Sequence, residues 1–276
     1  MLTKTEVSVY MIVYNGGSYL SGAVESILGQ SFTDFEFVIV DDGSTDETPE
    51  ILASFNDNRV RIFRQPRAGR PRARNRALRE CRGNFIAIID ADDLACRDRL
   101  ARQVDFLNRH PDVGVLATDY EVIDETGRRL WTVQLPTTDR ELRRALVSGN
   151  PILNSSAMFR REVVEVAGAY DEQLPYCQDH DLWIRAAVKF KVASAPEVLA
   201  SKRLHGKMIM MTVNRENLRC AIRARSRAVR LFNLPWYYRA TFLHLWGISL
   251  LPQVVVSVLL RLRWRLNQQC FARLHA

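Results

Sequence analysis

Along the first third of the chain, apolar residues gather in four short runs, 7–13, 35–40, 60–63 and 85–89, rich in Val, Ile and Phe. Few polar residues interrupt them, the pattern of strands covered on both faces of a parallel sheet. Between the runs, 19–28, 47–54 and 72–82 carry helical spacing. Ser44 and Glu47 stand in the relation of a capping box, so a helix is predicted to start just after Asp41-Asp42-Gly43-Ser44. Strand alternating with helix in this way predicts an α/β fold with a doubly wound, mostly parallel sheet. Further on, 113–117 and 155–159 read as strands, and 97–109 and 180–188 as helices. No internal repeat and no low-complexity linker interrupts the pattern.

In sheets of this kind ligands sit outside the carboxyl ends of the strands, and the polar residues at those ends are unusual. Tyr14 and Asn15 follow the first run, Asp41 and Asp42 the second, and Asp90-Ala91-Asp92-Asp93 the fourth, within FIAIIDADDL. One rim would thus collect an aromatic ring and several carboxylates. Asp90 and Asp92 bracket Ala91, so both carboxylates can face one point, a natural place for Mg²⁺ or Mn²⁺. Capping of the following helix would explain one of these Asp residues but hardly three. At the second strand end a carboxylate can accept hydrogen bonds from a nucleobase or ribose, while Gly43 permits a tight turn; an Asp-Gly turn alone is common punctuation.

The ordered set VSVYMIVYN, YLSGAVESILGQSFTDFEFVIVDDGSTDET, ARNRAL, GNFIAIIDADDL and YCQDHDLWIRA, spread over residues 6–205, resembles the inverting glycosyltransferases of family 2. That resemblance implies the GT-A, nucleotide-diphospho-sugar transferase fold. Tyr14 would lie against the nucleotide base, and Asp42, with Asp41 nearby, would read the base edge. Arg74 and Asn75 would sit near the nucleotide and its phosphates. Asp90 and Asp92 would be the family's DxD, Asp92 being the more direct metal ligand. The metal would bridge the diphosphate and stabilise the leaving group. Asp179 would be the base that deprotonates the acceptor hydroxyl. Gln178 stands where the family usually has Glu, which removes a neighbouring negative charge. His205 falls where the family often has an Arg-x-His over the diphosphate, as a further metal ligand or phosphate contact; Lys202 replaces the usual Tyr there. Leu182 and Trp183 are expected in the core.

The last sixty or so residues change character. Arg215, Arg219, Arg223, Arg227 and Arg230 recur every three or four positions, with Leu218, Ile222, Val229 and Phe232 on another stripe. Residues 241–260 contain no charge, and Arg261, Arg263 and Arg265 follow. The length suits a membrane span, but Gly247, Pro252, Gln253 and His244 interrupt it and Arg lies on both sides, against the positive-inside bias. A helix broken near Pro252 and lying in the interface fits better, with Trp236, Tyr237, Tyr238 and Trp264 at the headgroup level. The competing reading is a buried helix packed on the catalytic domain or on a second subunit.

Bulk composition adds little beyond this. At 276 residues with 47% hydrophobic and 25% charged residues, the chain is an ordinary globular one with room for a large domain. The net charge of +8 allows nucleic acid, an anionic membrane or a phosphorylated substrate as partner; the basic face lacks interleaved aromatics, so nucleic acid is not expected. Five scattered cysteines without CxxC suggest a reducing compartment and no zinc knuckle. The N-terminal apolar run is too short and too polar for a signal peptide. The expected organisation is a catalytic domain over 1–210, with a nucleotide-sugar half (1–110) and an acceptor half (111–210), and a helical, membrane-associating extension over 211–276. The expected activity is metal-dependent (Mn²⁺ or Mg²⁺) inverting transfer of a sugar from a nucleotide-diphospho-sugar, UDP-linked, to a hydroxyl of a glycan or lipid-linked acceptor. The place is the cytoplasmic membrane face, in cell-surface polysaccharide synthesis. Two alternatives stand beside it: a haloacid dehalogenase-like phosphatase with Asp90 as nucleophile, disfavoured by Leu94 and by the motif's place after the fourth strand, and a non-catalytic sugar-nucleotide-binding protein. A dehydrogenase is excluded by the lack of GxGxxG after the first strand.

Overall fold

The structure is a computed structural model and describes residues 5–206 and 215–250. The first half runs β1 (Val7–Val13), α1 (Gly17–Leu28), β2 (Phe35–Asp41), α2 (Thr48–Ala53), β3 (Val60–Arg64), α3 (Arg70–Glu80) and β4 (Phe85–Ile88). β1 pairs in parallel with β2 and β4, and β2 with β3. The four apolar runs are therefore the four parallel strands, and they point their carboxyl ends to one rim. Their continuous hydrophobicity has a direct cause. Val7, Val9, Met11 and Val13 pack on one face of the sheet beneath α1, while Tyr10 packs on the other with α3 residues Ala73 and Ala77. Both faces are covered, so a polar residue in these strands needs a buried partner, as the Ser8 hydroxyl finds in Glu36 Oε1 of β2 at 2.7 Å.

The second half comprises β5 (Leu94–Ala95), α4 (Arg99–Arg109), β6 (Val113–Ile123), β7 (Arg129–Val133), α5 (Asp139–Ser148), β8 (Met158–Arg160), α6 (Arg161–Ala167), α7 (Gln178–Lys189) and β9 (Lys191–Arg203). It extends the same sheet in the order β3-β2-β1-β4-β8-β6-β9-β5, with β7 on β6. Here the pairing is mixed: β8 is antiparallel to β4 and β6, β5 to β9 and β7 to β6, whereas β9 runs parallel to β6. The strand expected at 155–159 begins only at Met158, because Asn154–Ser156 form a 3-10 turn. The Ser156 hydroxyl donates to the Leu153 carbonyl, and Ser155 turns to a carboxylate described below. Such local side-chain bonds compete with ladder formation. β9 escapes the hydrophobic pattern because it holds Pro196, and its register with β6 shifts around Thr118 and Asp119.

Ser44 and Glu47 do not form the expected capping box. Ser44 Oγ accepts from Asn15 N at 2.9 Å, and Thr48 Oγ1 accepts from Gly16 N at 2.9 Å. These hydroxyls hold the β1–α1 turn instead of their own helix, which starts at Thr48 with Pro49 in its first turn.

In the second described segment, α8 (Arg215–Leu231) packs Leu218, Ala224, Ala228 and Val229 into the same core as α7's Leu182, Trp183 and Ile184. The Arg-striped helix is thus docked on the catalytic domain along its apolar face. Arg227 fastens it, reaching Asp181 of α7 and, at 3.4 Å, Asp171. α9 (Leu243–Leu250) opens the uncharged stretch; residues 251–260, including the break expected at Pro252, lie outside the described residues. Among the described residues no helix is long and apolar enough to cross a membrane. Cys81, Cys96, Cys177 and Cys220 are free.

Asp181 is completely buried and is held by Arg185 at 2.8 Å and by Arg227. Asp181→Ala is expected to lower stability by about 3 kcal/mol, since it strands two guanidinium groups; equilibrium urea denaturation reads this directly.

Candidate active site

The site grows from the end of β4. Three carboxylates leave the strand within four residues, and each meets a different partner. Asp90 Oδ1 lies 3.4 Å from Arg74 Nη2. Asp92 Oδ2 lies 2.9 Å from His205 Nε2. Asp93 accepts from Ser155 Oγ at 2.6 Å and from Arg203 N at 2.9 Å. The Asp90 and Asp92 side chains keep 30% and 34% of their surface in solvent, while Asp93 keeps 3%. Two carboxylates are therefore available to a ligand and one is a strut. Burial, and then the charges of Asp92 and Asp90, push the Asp93 carboxyl well above the usual carboxylate range. A carboxyl that keeps its proton more readily relieves the crowding of charge.

His205 reaches Asp92 because the end of β9 pairs with β5, Leu94 against Ser201, which sets the residues after β9 beside the segment that leaves β4. Arg203 Nε donates to the Asp92 carbonyl at 3.1 Å, and the His205 ring lies 4.9 Å from that of Tyr19. Among the described residues no three of His, Cys, Asp and Glu converge as a ready metal cage. The donor set nevertheless fits a hard divalent cation, because Mg²⁺ and Mn²⁺ take one or two carboxylates and draw their remaining oxygens from substrate phosphates and water.

The second rim element is the β2 end. Asp42 accepts from Gln65 Nε2 at 2.7 Å, from Ala68 N at 2.9 Å and from Gly69 N at 2.9 Å. Three of its roughly four lone-pair positions are thus spent on folding the 65–69 loop, which leaves room for one hydrogen bond to a base. Asp41 is buried; it accepts from Ser44 N at 2.8 Å and lies 3.4 Å from Arg64, so it shapes the turn from beneath. Gly43 must be glycine: its φ is +81°, and an added Cβ would come within 2.7 Å of Arg67 N. The same approach brings the Arg67 guanidinium over the Tyr14 ring at 3.7 Å. Tyr14 is 37% exposed, and its ring already serves as a stacking platform.

Arg74 and Asn75 have tasks other than direct contact with the nucleotide. Arg74 is fully buried; besides Asp90 it meets the side-chain oxygen of Asn154 at 2.7 Å, in the amide orientation the hydrogen bonding requires. It holds Asp90 from behind. Asn75 spends its whole amide on the next wall, donating to Tyr170 O and Glu172 Oε1 at 3.0 Å and accepting from Tyr170 N at 2.9 Å. Arg70, one turn before Arg74, was not marked by any motif. It is half-buried and interacts electrostatically with Asp90, Asp92 and Asp179; the (i, i+4) spacing with Arg74 was the available signal.

Asp179 lies in the first turn of α7. The turn is set by Cys177, whose φ is +56°. Asp179 Oδ1 accepts from His180 N at 2.8 Å and Oδ2 from Asn150 Nδ2 at 3.1 Å. Neither Asn150 nor Ser155 carries a sequence signal, since both lie on irregular chain. Leu182 and Trp183 are fully buried, as expected. Gln178 is buried, and its Nε2 has no hydrogen-bond partner among the described residues.

The rim thus presents the exposed Tyr14 ring, the carboxylate of Asp42, the two solvent-facing carboxylates of Asp90 and Asp92, and Asp179 on a helix start. Residues 8–168 match the family described as Glycosyl transferase family 2. The chain belongs to that family. It is 32% identical over 210 residues to an uncharacterised glycosyltransferase of Methanocaldococcus jannaschii, covering 74% of this chain and 72% of the relative. It is 29% identical over 209 residues to one of Rickettsia typhi, covering 72% of this chain and 64% of the relative; of a Rickettsia conorii relative it spans only 37%. Two solved structures share the fold. S. aureus TarS in complex with UDP-GlcNAc matches with a TM-score of 0.70 at 20% identity, over 87% of this chain and 72% of that one. A mannosyltransferase from Pyrobaculum calidifontis, in complex with GDP-Man and Mn²⁺, matches at 0.64 and 22% identity, over 92% and 73%. Family membership removes the phosphatase alternative, and the nucleophile role for Asp90 goes with it.

One prediction concerns pH. His180 is buried, with Nε2 2.7 Å from the Leu146 carbonyl. Burial lowers its pKa from the ordinary 6.5, outweighing that contact, which raises it. Its folded pKa lies below its unfolded one, so its contribution is present above about pH 6.5 and is lost as pH falls through the folded value. The melting temperature should therefore fall between about pH 7 and 5, and His180→Gln should flatten that acid limb in thermal denaturation.

Proposed function

We propose that this family 2 glycosyltransferase is a metal-dependent inverting enzyme. It transfers a sugar from a UDP-sugar to a hydroxyl of a glycan or lipid-linked acceptor at the cytoplasmic face of the membrane, in cell-surface polysaccharide synthesis. The observation that carries the reading is the convergence of two carboxylate sets on one cation. Arg70 interacts electrostatically with Asp90, Asp92 and Asp179, and Arg74 with Asp90 and Asp179. The diphosphate-holding and base-bearing groups therefore border one space.

Within that space the chain's own residues divide the work. Tyr14 offers a face to the base and Asp42 a remaining lone pair to its edge. Asp92 and Asp90 would hold the divalent ion, with His205 joining them or releasing Asp92 when the donor arrives. The ion, when bound, supplies Lewis-acid stabilisation of the departing diphosphate. Arg70 adds positive charge beside the same oxygens. Asp179, aimed by Asn150 and the His180 amide, takes the proton from the acceptor hydroxyl as its oxygen bonds to the anomeric carbon. The bond from that carbon to the diphosphate breaks on the opposite face, so configuration inverts and a nucleoside diphosphate leaves. Gln178 Nε2, a buried donor with no protein partner among the described residues, is placed in sequence to serve an acceptor oxygen beside the base. The support for a nucleotide-sugar donor and for Mn²⁺ comes from the TarS and P. calidifontis complexes. The support for a membrane location is the basic face of α8 and the exposed Trp236 and Tyr237.

Purified protein tested against UDP- and GDP-sugars with Mn²⁺ should release UDP and should cease to do so with a chelator; release of GDP alone would displace the UDP assignment. Asp179→Asn is expected to slow transfer by roughly 10²- to 10⁴-fold while calorimetric UDP affinity stays unchanged. Full activity in that variant would remove Asp179 as the base, and UDP binding without any product would favour the non-catalytic binding protein.

A further inference from the structure

Away from the catalytic rim, Arg223, Ser226, Arg227, Arg230 and Arg239 line a cavity of about 280 Å³. Spacings of three and four put the first four on one face of α8, and Arg239 reaches in from the 3-10 turn Trp236–Phe242 that follows. Four guanidinium groups share this space and no carboxylate lines it. Arg227 is compensated by Asp181 and Asp171, and Arg223 Nη2 has only the neutral Gln173 Oε1 at 3.5 Å. Arg230 and Arg239 make no ion pair among the described residues. Crowded like charges with nothing to cancel them favour an anion, and planar guanidinium forks match phosphate oxygens.

We propose that this cavity binds the phosphate of an anionic membrane lipid headgroup. A soluble phosphate would need only the arginines, whereas here exposed apolar and aromatic residues neighbour Arg230 and Arg239 along the chain. Trp236 is 79% exposed, Tyr237 58%, Leu243 56% and Leu231 37%. Tyr237 stacks on Tyr238 with ring centroids 5.3 Å apart. Trp and Tyr beside cations are what the headgroup level of a bilayer accommodates. The cavity is also tied to the catalytic domain, because Arg227 grips Asp181 two residues beyond Asp179. A docked headgroup would thus lie against the helix that bears the base, fixing how the acceptor site meets the membrane. The proposal rests on the membrane location given above but not on the transfer chemistry.

The test is flotation of the full chain with vesicles of phosphatidylcholine alone and of phosphatidylcholine doped with phosphatidylglycerol. Wild type should float with the anionic vesicles only. Arg230→Ala with Arg239→Ala should weaken that binding by roughly tenfold or more, given the contribution of each basic residue near an anionic surface. Donor turnover in the absence of vesicles should stay unchanged. Arg230→Lys with Arg239→Lys should keep much of the binding, which separates charge from misfolding. Tryptophan emission should shift to the blue on anionic vesicles in wild type, and Trp236→Phe should lose that shift. Equal flotation of wild type and the alanine variant would overturn the assignment, as would equal flotation on neutral vesicles. Arginine-dependent heat with free glycerol phosphate, without vesicle binding, would give the cavity to a soluble anion instead. A wild type that turns over no donor yet floats as described would sink the transferase reading and leave this one standing.

Discussion

The fold of the site depends on keeping three carboxylates apart at the end of one strand. Asp90, Asp92 and Asp93 are linked through adjacent backbone, so their separation has to come from what each one faces. Asp90 faces a guanidinium from α3, Asp92 an imidazole from the end of β9, and Asp93 a hydroxyl and a backbone amide in the interior. The three partners come from three distant segments. The crowding that looks unfavourable in sequence is thus what draws α3, the 154–156 turn and β9 together around β4. Removing charge from this point would relieve repulsion and at the same time release three elements from their anchor.

A second consequence concerns residues that look like ligand contacts and turn out to build walls. Asp42 closes the 65–69 loop, Asn75 clamps the 170–172 segment, and Arg74 backs Asp90. Their chemistry serves shape. A buried amide or guanidinium fully engaged by the chain cannot also bind substrate without breaking a bond worth about 1 kcal/mol or more. What remains open is the outer layer: the ring of Tyr14, one lone pair of Asp42, the exposed edges of Asp90 and Asp92, and Asp179. A site of this kind is preorganised because its inner layer is spent before the ligand arrives.

This division explains which parts of the molecule were legible in sequence. The four parallel strands and their helices are written in local hydrophobic period, and the rim acids stand at predictable strand ends. The mixed half is not local. β8 is three residues long, β5 is two, and β9 carries a proline and a register shift; their pairing is set by contacts across the sheet, not by alternation. Ser44 and Glu47 satisfied the spacing of a capping box, but Ser44 was worth more to the β1–α1 turn. Arg67 and Asn150 lie on irregular chain, where a charged or amide residue has no period to give it away, whereas Arg70 opens α3 and is marked only by its (i, i+4) spacing to Arg74.

The proposed base raises a different problem, since a carboxylate that is to accept a proton has to be aimed without being neutralised. Asp179 is aimed by two uncharged donors, the Asn150 amide and the His180 N–H, and neither can quench it as a salt bridge would. The cation in its surroundings, Arg70, makes no direct ion pair with it among the described residues. The cationic partner that α7 does take is directed at Asp181, two positions on and fully buried, where Arg185 and Arg227 neutralise it. One helix turn thus carries two aspartates in opposite electrostatic settings. The buried one is tied down so that the helix cannot shift, and the half-buried one, Asp179, is held by uncharged donors. Because Arg227 belongs to α8, the helix that carries the proposed base is held in place by the helix that follows the sheet. The C-terminal helix is therefore part of the catalytic body, and not a tail appended to it.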